Sequence, residues 1–433
     1  MAKKSVLVIG GGIAGIQSSL DLANMGFQVY LVEKTPSIGG RMSQLDKTFP
    51  TNDCAMCILA PKMIEASRHP NIKLLTYSEV EEVAGGSGKF TVKIRKKARS
   101  VNEEKCTGCG TCQEKCPWKV ASEFEMGLGE RKVIYTPFPQ AVPNVPVIDR
   151  ENCVYFQKGK CRACEKFCEA GAIDYDQKDE IVEVEVGAVI LASGFDLYDP
   201  SGLEEYGYGK VKNVIIAMQF ERMISASGPT KGQLQRPSDG ATPKSLAFIQ
   251  CVGSRDTRHK LYCSSVCCMH ATKEAILANE HYPDLKSYIF YTDMRAVGKR
   301  FREYIARAEQ EYKVTYIRSR PSKITENPDN RNPIVWYEET TARARTSMEV
   351  DMVVLCQALV PSASTKEISD ILHLSLNDYQ FINIPDRLFH PVDTEIPGIF
   401  ACGFCQEPQD IPDSVVQASA AAARAAEFMS KGD

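Results

Sequence analysis

Apolar and polar positions along the chain alternate in short blocks with recognisable periods. Ser5-Val-Leu-Val-Ile9 is a continuous apolar run, which predicts a strand buried on both faces, as in a parallel sheet. The turn Gly10-Gly-Gly12-Ile13-Ala14-Gly15 follows, then a helix-period pattern ending near Gly26. A second run, Val29-Tyr-Leu-Val32, closes a strand–helix–strand unit that ends at Glu33. Downstream, a hairpin turns at Gly85-Gly-Ser-Gly88; its glycine spacing does not fit a phosphate loop. Ala188-Val-Ile-Leu-Ala-Ser-Gly194 is a strand entering a turn, and the polar stretch Ser227 to Pro243 predicts a linker. Leu246-Ala-Phe-Ile249 and Val350 to Cys356 then read as buried strands of a second domain, with Cys356 as core packing. Ile396 to Gly403 is another strand into a turn, followed by an alanine-rich helix from Ser414 to Met429.

Length and composition narrow the class. A chain of 433 residues has room for two or three domains with their own cores. A net charge of −3 gives no footprint for nucleic acid or an anionic membrane. No apolar stretch reaches the roughly 18–20 residues of a membrane span, and Met1-Ala-Lys-Lys4 does not open a signal peptide. The expectation is a cytoplasmic protein, with any membrane association supplied by partners. Seventeen cysteines in that setting argue for metal ligation rather than disulfides.

Their spacing supplies the chemistry. Cys106, Cys109, Cys112 and Cys116, followed by Pro117, have the Cys-x2-Cys-x2-Cys-x3-Cys-Pro spacing of two-cluster bacterial ferredoxins. Cys153, Cys161, Cys164 and Cys168 repeat it with a wider first gap. In the usual crossover, Cys106, Cys109, Cys112 and Cys168 hold one [4Fe–4S] cluster, and Cys153, Cys161, Cys164 and Cys116 hold the other. Cys116 is expected to start the helix that leads to the second cluster. Two linked runs of this kind argue against a zinc ribbon and suggest an anaerobic host. Trp118, beside a ligand, is read as packing, and the six histidines show no metal spacing.

The glycine turn carries the other strong signal. Gly10, Gly12, Ile13, Ala14 and Gly15 would bring a dinucleotide pyrophosphate against a helix N-terminus, and Glu33 would accept hydrogen bonds from a ribose diol. Lys34 and Gly39-Gly40-Arg41 extend the fingerprint and favour FAD over NAD. Gly194 and Gly403 lie where flavoproteins of the glutathione-reductase class return to their FAD domain, the second aiming a helix N-terminus at the flavin pyrimidine. The acidic residue usual after that glycine is Phe404 here, which shifts attention to Asp410 or Asp413. In the second domain the expected GxGxxG is replaced by Cys251, Cys263, Cys267 and Cys268. These four are either apolar filler or a third cluster site, which is the favoured reading. Cys54 and Cys57 leave three readings open: a redox-active pair, an interface or metal role, and plain packing.

Together these segments resemble the A-type chain of heterodisulfide reductase. The resemblance runs through Phe49-Pro-Thr-Asn-Asp-Cys54-Ala-Met-Cys57-Ile-Leu59 and Pro61-Lys-Met63, Cys251-Val-Gly-Ser-Arg-Asp256, Cys267-Cys-Met269, Ala271-Thr-Lys273 and Asp410-Ile-Pro-Asp-Ser414. It implies that Cys251, Cys263, Cys267 and Cys268 ligate a non-standard cluster and that Lys273 stands at flavin N5. It also implies B- and C-type partner subunits, and ferredoxin or a hydrogenase or dehydrogenase as electron donor, in a hetero-oligomer that could dimerise through this chain. Compared with methanogen members, the chain reads as a short form without the N-terminal cluster domain and C-terminal ferredoxin.

The expected fold is an α/β, glutathione/thioredoxin-reductase-like two-domain flavoprotein. Residues 1–100, 181–235 and 385–433 would form the FAD domain, 101–180 an inserted two-cluster ferredoxin, and 236–384 a degenerate pyridine-nucleotide domain. The expected function is electron-pair splitting at FAD into one-electron relays, with electron bifurcation as one form of it. Two alternatives are an A-type relay in a quinone-linked or acyl-CoA-reducing complex, and a self-sufficient NAD(P)H-dependent flavoprotein reductase.

Overall fold

The computed structural model describes residues 4–430 apart from 87 and 341. The chain folds into two compact units, one of Met1–Ser43, Cys57–Phe195 and Pro361–Asp433, the other of Gln44–Met56 and Asp196–Val360.

In the first unit, strands Ile399–Ala401, Ala188–Leu191, Ser5–Ile9, Gln28–Glu33 and Ile72–Thr76 form a parallel sheet in that order. Val6 pairs with Ala188 on one side and Val29 on the other, and Val6, Val29 and Ala188 are fully buried. A strand covered on both faces has no polar side to alternate with, which explains the unbroken apolar runs. Helix Ile13–Asn24 returns across the sheet and packs on the C-terminal helix, Ile411–Ser430. Ala418, Ala421, Ala422 and Ala425 are buried there, so the alanine richness is a packing requirement as well as a helix preference.

An antiparallel sheet in the order Glu180–Val186, Lys89–Lys96, Ser78–Gly86 carries the insertion. The chain leaves it at Lys96 and returns at Glu180, and these two residues are cross-strand partners. Between them lie short helices Thr111–Lys115, Val154–Lys158 and Ala163–Lys166 and two small ladders. The core of this lobe holds Val101, Val133, Ile134, Ile148 and Tyr175, with the cysteines making up much of the rest. A lobe this small has too little apolar core to be secure without staples. Arg99 at its root is buried; its guanidinium donates to the Pro36 carbonyl at 2.8 Å and the Val145 carbonyl at 3.2 Å.

In the second unit, strands Val214–Ile216, Met352–Gln357, Ser245–Val252, Lys286–Tyr291 and Thr315–Arg318 form another parallel sheet. Helix Cys267–His281 packs on it, and residues 227–243 form no helix or strand, as expected of a linker. The compact units part after Phe195 and Val360 rather than at 235 and 384. Val214–Ile216 pairs with Val353–Leu355 of the second sheet, which takes residues 196–235 with it. Leu372, Leu374, Ile382 and Ile384 share a core with Leu7 and Val189, which keeps 361–384 in the first unit.

Candidate flavin cradle and cysteine sites

The first turn is built by steric exclusion. Gly10 has φ +110°, and a Cβ there would lie 2.3 Å from the Ala192 carbonyl oxygen. A Cβ on Gly15 would lie 1.8 Å from the Gly10 carbonyl oxygen, so both positions require glycine for packing. Gly12 differs: its φ is −76°, and a Cβ would meet nothing within 4 Å. The free N–H groups of Ile13, Ala14 and Gly15 open the helix beside that space, and no side chain caps them. Open space at a helix N-terminus fits an incoming pyrophosphate. Glu33 stands at the end of the second strand with Oε2 accepting the Gly11 N–H at 2.6 Å. Its Oε1 accepts the Thr35 N–H at 2.7 Å and the Thr35 hydroxyl at 2.8 Å. The carboxylate is thus oriented, and each oxygen retains capacity for a ribose hydroxyl.

The rest of the fingerprint divides between close approach and surface. A Cβ on Gly40 would reach 2.9 Å from Gly12 Cα, so the two glycine segments abut. Arg41 Nε donates to the Phe195 carbonyl at 3.5 Å. Lys34 is at the surface, 3.4 Å from Glu367. Gly194 and Gly403 both have positive φ, and Gly403 donates its N–H to Gln417 Oε1 at 3.0 Å. Phe404 is buried with its ring 4.4 Å from that of Phe195. The Asp410 carboxylate accepts the Asp413 N–H at 2.9 Å, and burial pushes its carboxyl up. It therefore caps the C-terminal helix, while Asp413 is exposed in the first turn.

In the insertion, helix Thr111–Lys115 precedes Cys116, which adopts an extended backbone at the helix end. The expected helix start at Cys116 is therefore corrected. Gly108 and Gly110 take left-handed conformations, so the turn of the helix falls between Cys109 and Cys116. Burial pushes the Cys112 thiol up to about 12, reinforced by Cys106, Cys164 and Cys168. Cys116, Cys153, Cys161 and Cys164 line one cavity with Trp118 and Tyr175. Tyr175 Oη lies 3.0 Å from Cys164 Sγ, and Cys168 Sγ accepts the Ala172 N–H at 3.3 Å. The geometry thus places Cys116 with the downstream run and Cys112 beside Cys106 and Cys168. Trp118, 45% exposed, lines that cavity instead of filling the core.

Cys251 lies near the end of strand Ser245–Val252 at φ +60°, and Cys267 and Cys268 open helix Cys267–His281. All three are buried, with Cys263 half-buried. Burial pushes the Cys267 thiol up, and Cys268, Cys251 and Cys263 add to it, so the four face a common region. Cys263 Sγ accepts the Ser265 N–H at 3.4 Å, and Cys268 Sγ the Arg295 N–H at 3.5 Å. Among the described residues, no three cysteine sulfurs lie within 4.8 Å of one another. A tetrahedral zinc with bonds of about 2.3 Å needs sulfurs about 3.8 Å apart. The looser grouping suits a polynuclear cluster better.

Lys273 lies on the same helix, and no neighbour in sequence offers it a partner. It is buried, bonded to the Glu221 carboxylate, and donates to the Lys47 carbonyl at 3.1 Å. His270 Nε2 lies 3.0 Å from Glu274 Oε1 and 3.5 Å from Glu221 Oε1. Burial alone would raise the Glu221 carboxyl; Lys273 and His270 outweigh it and hold it low. Burial pushes Glu274 up against the opposing pull of His270, and Asp46 is raised by burial and by Glu221. Removing Glu221 would strand a buried ammonium, at a cost of about 3–5 kcal/mol. Glu221 and Asp46 are distant from Lys273 in sequence, so only the fold could reveal this network. Cys54 and Cys57 form a disulfide at the entry to helix Ala55–Arg68, with Cys57 exposed.

Residues 5–85 match the family model for FAD dependent oxidoreductases, and residues 99–121 match that for 4Fe-4S binding domains. The chain is 55% identical over 99% of its length to the second iron-sulfur A-type chain of CoB–CoM heterodisulfide reductase in Methanopyrus kandleri. It is 50% identical, over 99% of its length, to the A-type chain of the H2:CoB-CoM heterodisulfide,ferredoxin reductase of Methanothermobacter thermautotrophicus. It spans 64% of the length of each of these relatives. Among solved structures, the thioredoxin reductases of Lactococcus lactis and T. acidophilum superpose with a TM-score of 0.53 each. Their identities are 15% and 12%; the alignments cover 99% of this chain and 100% and 99% of theirs. The architecture is therefore that of a thioredoxin-reductase-like flavoprotein carrying a ferredoxin-type insertion.

Proposed function

Because the chain belongs to the A-type family of heterodisulfide reductase chains, we propose that it is the flavin- and iron–sulfur-bearing electron-transfer component of a multisubunit oxidoreductase. The carrying observation is the conjunction of a glycine cradle with three groups of four cysteines, the third occupying the turn where a nicotinamide-binding loop would lie. FAD would be held by Gly10, Gly12, Ile13, Ala14, Gly15 and Glu33, with Gly40, Arg41, Gly194 and Gly403 around it. When bound, it supplies exchange between two-electron and one-electron chemistry. The chain contributes binding and orientation. Helix N–H groups receive the phosphate anions, Glu33 fixes the ribose, and buried thiols give up their protons on metal binding.

In the insertion, Cys106, Cys109, Cys112 and Cys168 would hold one [4Fe–4S] cluster, and Cys116, Cys153, Cys161 and Cys164 the other. Cys164 adds to the field at Cys112, so the two groups are neighbours, as a relay requires. Cys251, Cys263, Cys267 and Cys268 would hold the third. The relatives' names point to B- and C-type chains as partners. The name that joins H2, heterodisulfide and ferredoxin suggests bifurcation as the mode of electron splitting.

A self-sufficient NAD(P)H reductase is the discriminating rival. Anaerobic holoprotein is expected to bleach with dithionite and to stay oxidised with NADH or NADPH over the same minutes. Stoichiometric bleaching by either nucleotide would replace the relay reading with the reductase reading.

A further inference from the structure

The third cysteine group is fastened to a charged clamp. The loop from Cys251 to Asp256 turns with positive φ at Cys251 (+60°), Gly253 (+75°) and Arg255 (+53°). Such backbone is unfavourable for residues that carry a Cβ and persists only where the surroundings hold it. Its consequence here is that Arg255 folds back, with its guanidinium within hydrogen-bonding reach of the Cys251 thiol. Nη1 and Nη2 of Arg255 donate to the two oxygens of Asp293 at 3.0 and 3.1 Å, a fork that fixes the plane of the guanidinium. The same carboxylate accepts Arg295 Nε at 3.3 Å, and the Arg295 backbone N–H is the donor to Cys268. One carboxylate therefore anchors both a cation on Cys251 and the segment that donates to Cys268.

An ordinary surface ion pair would point both partners at water. Here the Arg255 side chain is 23% exposed and the thiol it faces is buried. Other charges do not cancel it. Arg320 adds positive potential at Cys251, and Asp256 is engaged by Arg258 and Arg320. Arginine stays protonated at any working pH, so its charge is constant through a redox cycle.

We propose that Arg255 sets the reduction potential of the third cysteine group, by stabilising the extra negative charge that one-electron reduction brings. The inference rests on the reading that this group holds an iron–sulfur cluster. The step adds one electron from a one-electron relay and makes or breaks no bond. Removing the cation should make the cluster harder to reduce.

The test is an anaerobic redox titration of the holoprotein followed by electron paramagnetic resonance. Arg255→Gln is expected to shift the third cluster's reduction equilibrium about tenfold toward the oxidised form, ~59 mV for one electron. The two ferredoxin-type signals should not move, and Arg255→Lys should stay within threefold of the native midpoint. An unmoved third midpoint in Arg255→Gln, with native iron content, overturns the proposal. If that variant loses the third cluster, Arg255→Lys decides. A midpoint within threefold supports the charge effect; a midpoint about tenfold lower, or loss of the cluster here too, overturns it. Wild-type protein without a third signal would instead sink the underlying cluster reading, so the two failures are distinguishable.

Discussion

Alanine at both Cys267 and Cys268 is expected to remove about four of about twelve irons per chain, an estimate from three four-iron clusters. One paramagnetic signal should vanish while the two from the insertion persist. The size of the effect follows from position. Both thiols open the same buried helix face, and each raises the other's proton affinity, as closely spaced groups do when no metal shares them. If they were core filler, the double variant would lose one small buried atom at each site, about 1 kcal/mol apiece. Its iron content would then be native. Iron and sulfide analysis beside a thermal melt separates the two: the site reading predicts missing iron in a folded protein, the filler reading native iron in a slightly weaker one.

The second large effect concerns two glycines three residues apart. Gly15→Ala drives a methyl to 1.8 Å from the Gly10 carbonyl oxygen, a clash between backbone segments that no rotamer relieves. We expect this variant to be recovered poorly or with a melting temperature lowered by more than 10 °C. Gly12→Ala is different, because its φ of −76° suits alanine and a Cβ there meets nothing. The apoprotein should melt within about 2 °C of native, yet flavin affinity should fall about a hundredfold, which is ~2.7 kcal/mol. The methyl fills the space the pyrophosphate would use. Native flavin affinity in Gly12→Ala would mean that the cradle does not face the cofactor.

Much of this arrangement is legible in the residues. Ser5–Ile9 and Ala188–Leu191 are apolar throughout because both sheet faces are covered, and the strands lie where those runs are. The C-terminal helix runs Ile411–Ser430 rather than Ser414–Met429, because Asp410 caps it one turn earlier than the alanine pattern begins. The crossover at Cys116 was legible from spacing alone, since a two-cluster ferredoxin fixes which thiol leaves its own run. The placement of Cys116 at a helix end was not, because it depends on the left-handed glycines before it. Nor was the boundary at Phe195. Val214–Ile216 is a short apolar run that could serve either sheet, and only its pairing with Val353–Leu355 decides. The Lys273–Glu221 pair and the Arg255–Asp293 clamp escaped for the same reason: each joins segments dozens of residues apart, and a charge carries no period that names its partner.

The most direct measurement is the flavin, iron and acid-labile sulfide content of the anaerobically purified chain. One FAD with about twelve irons and as many sulfides per chain is the predicted composition. About eight irons would remove the third site, and flavin without iron, or iron without flavin, would contradict the account at its centre.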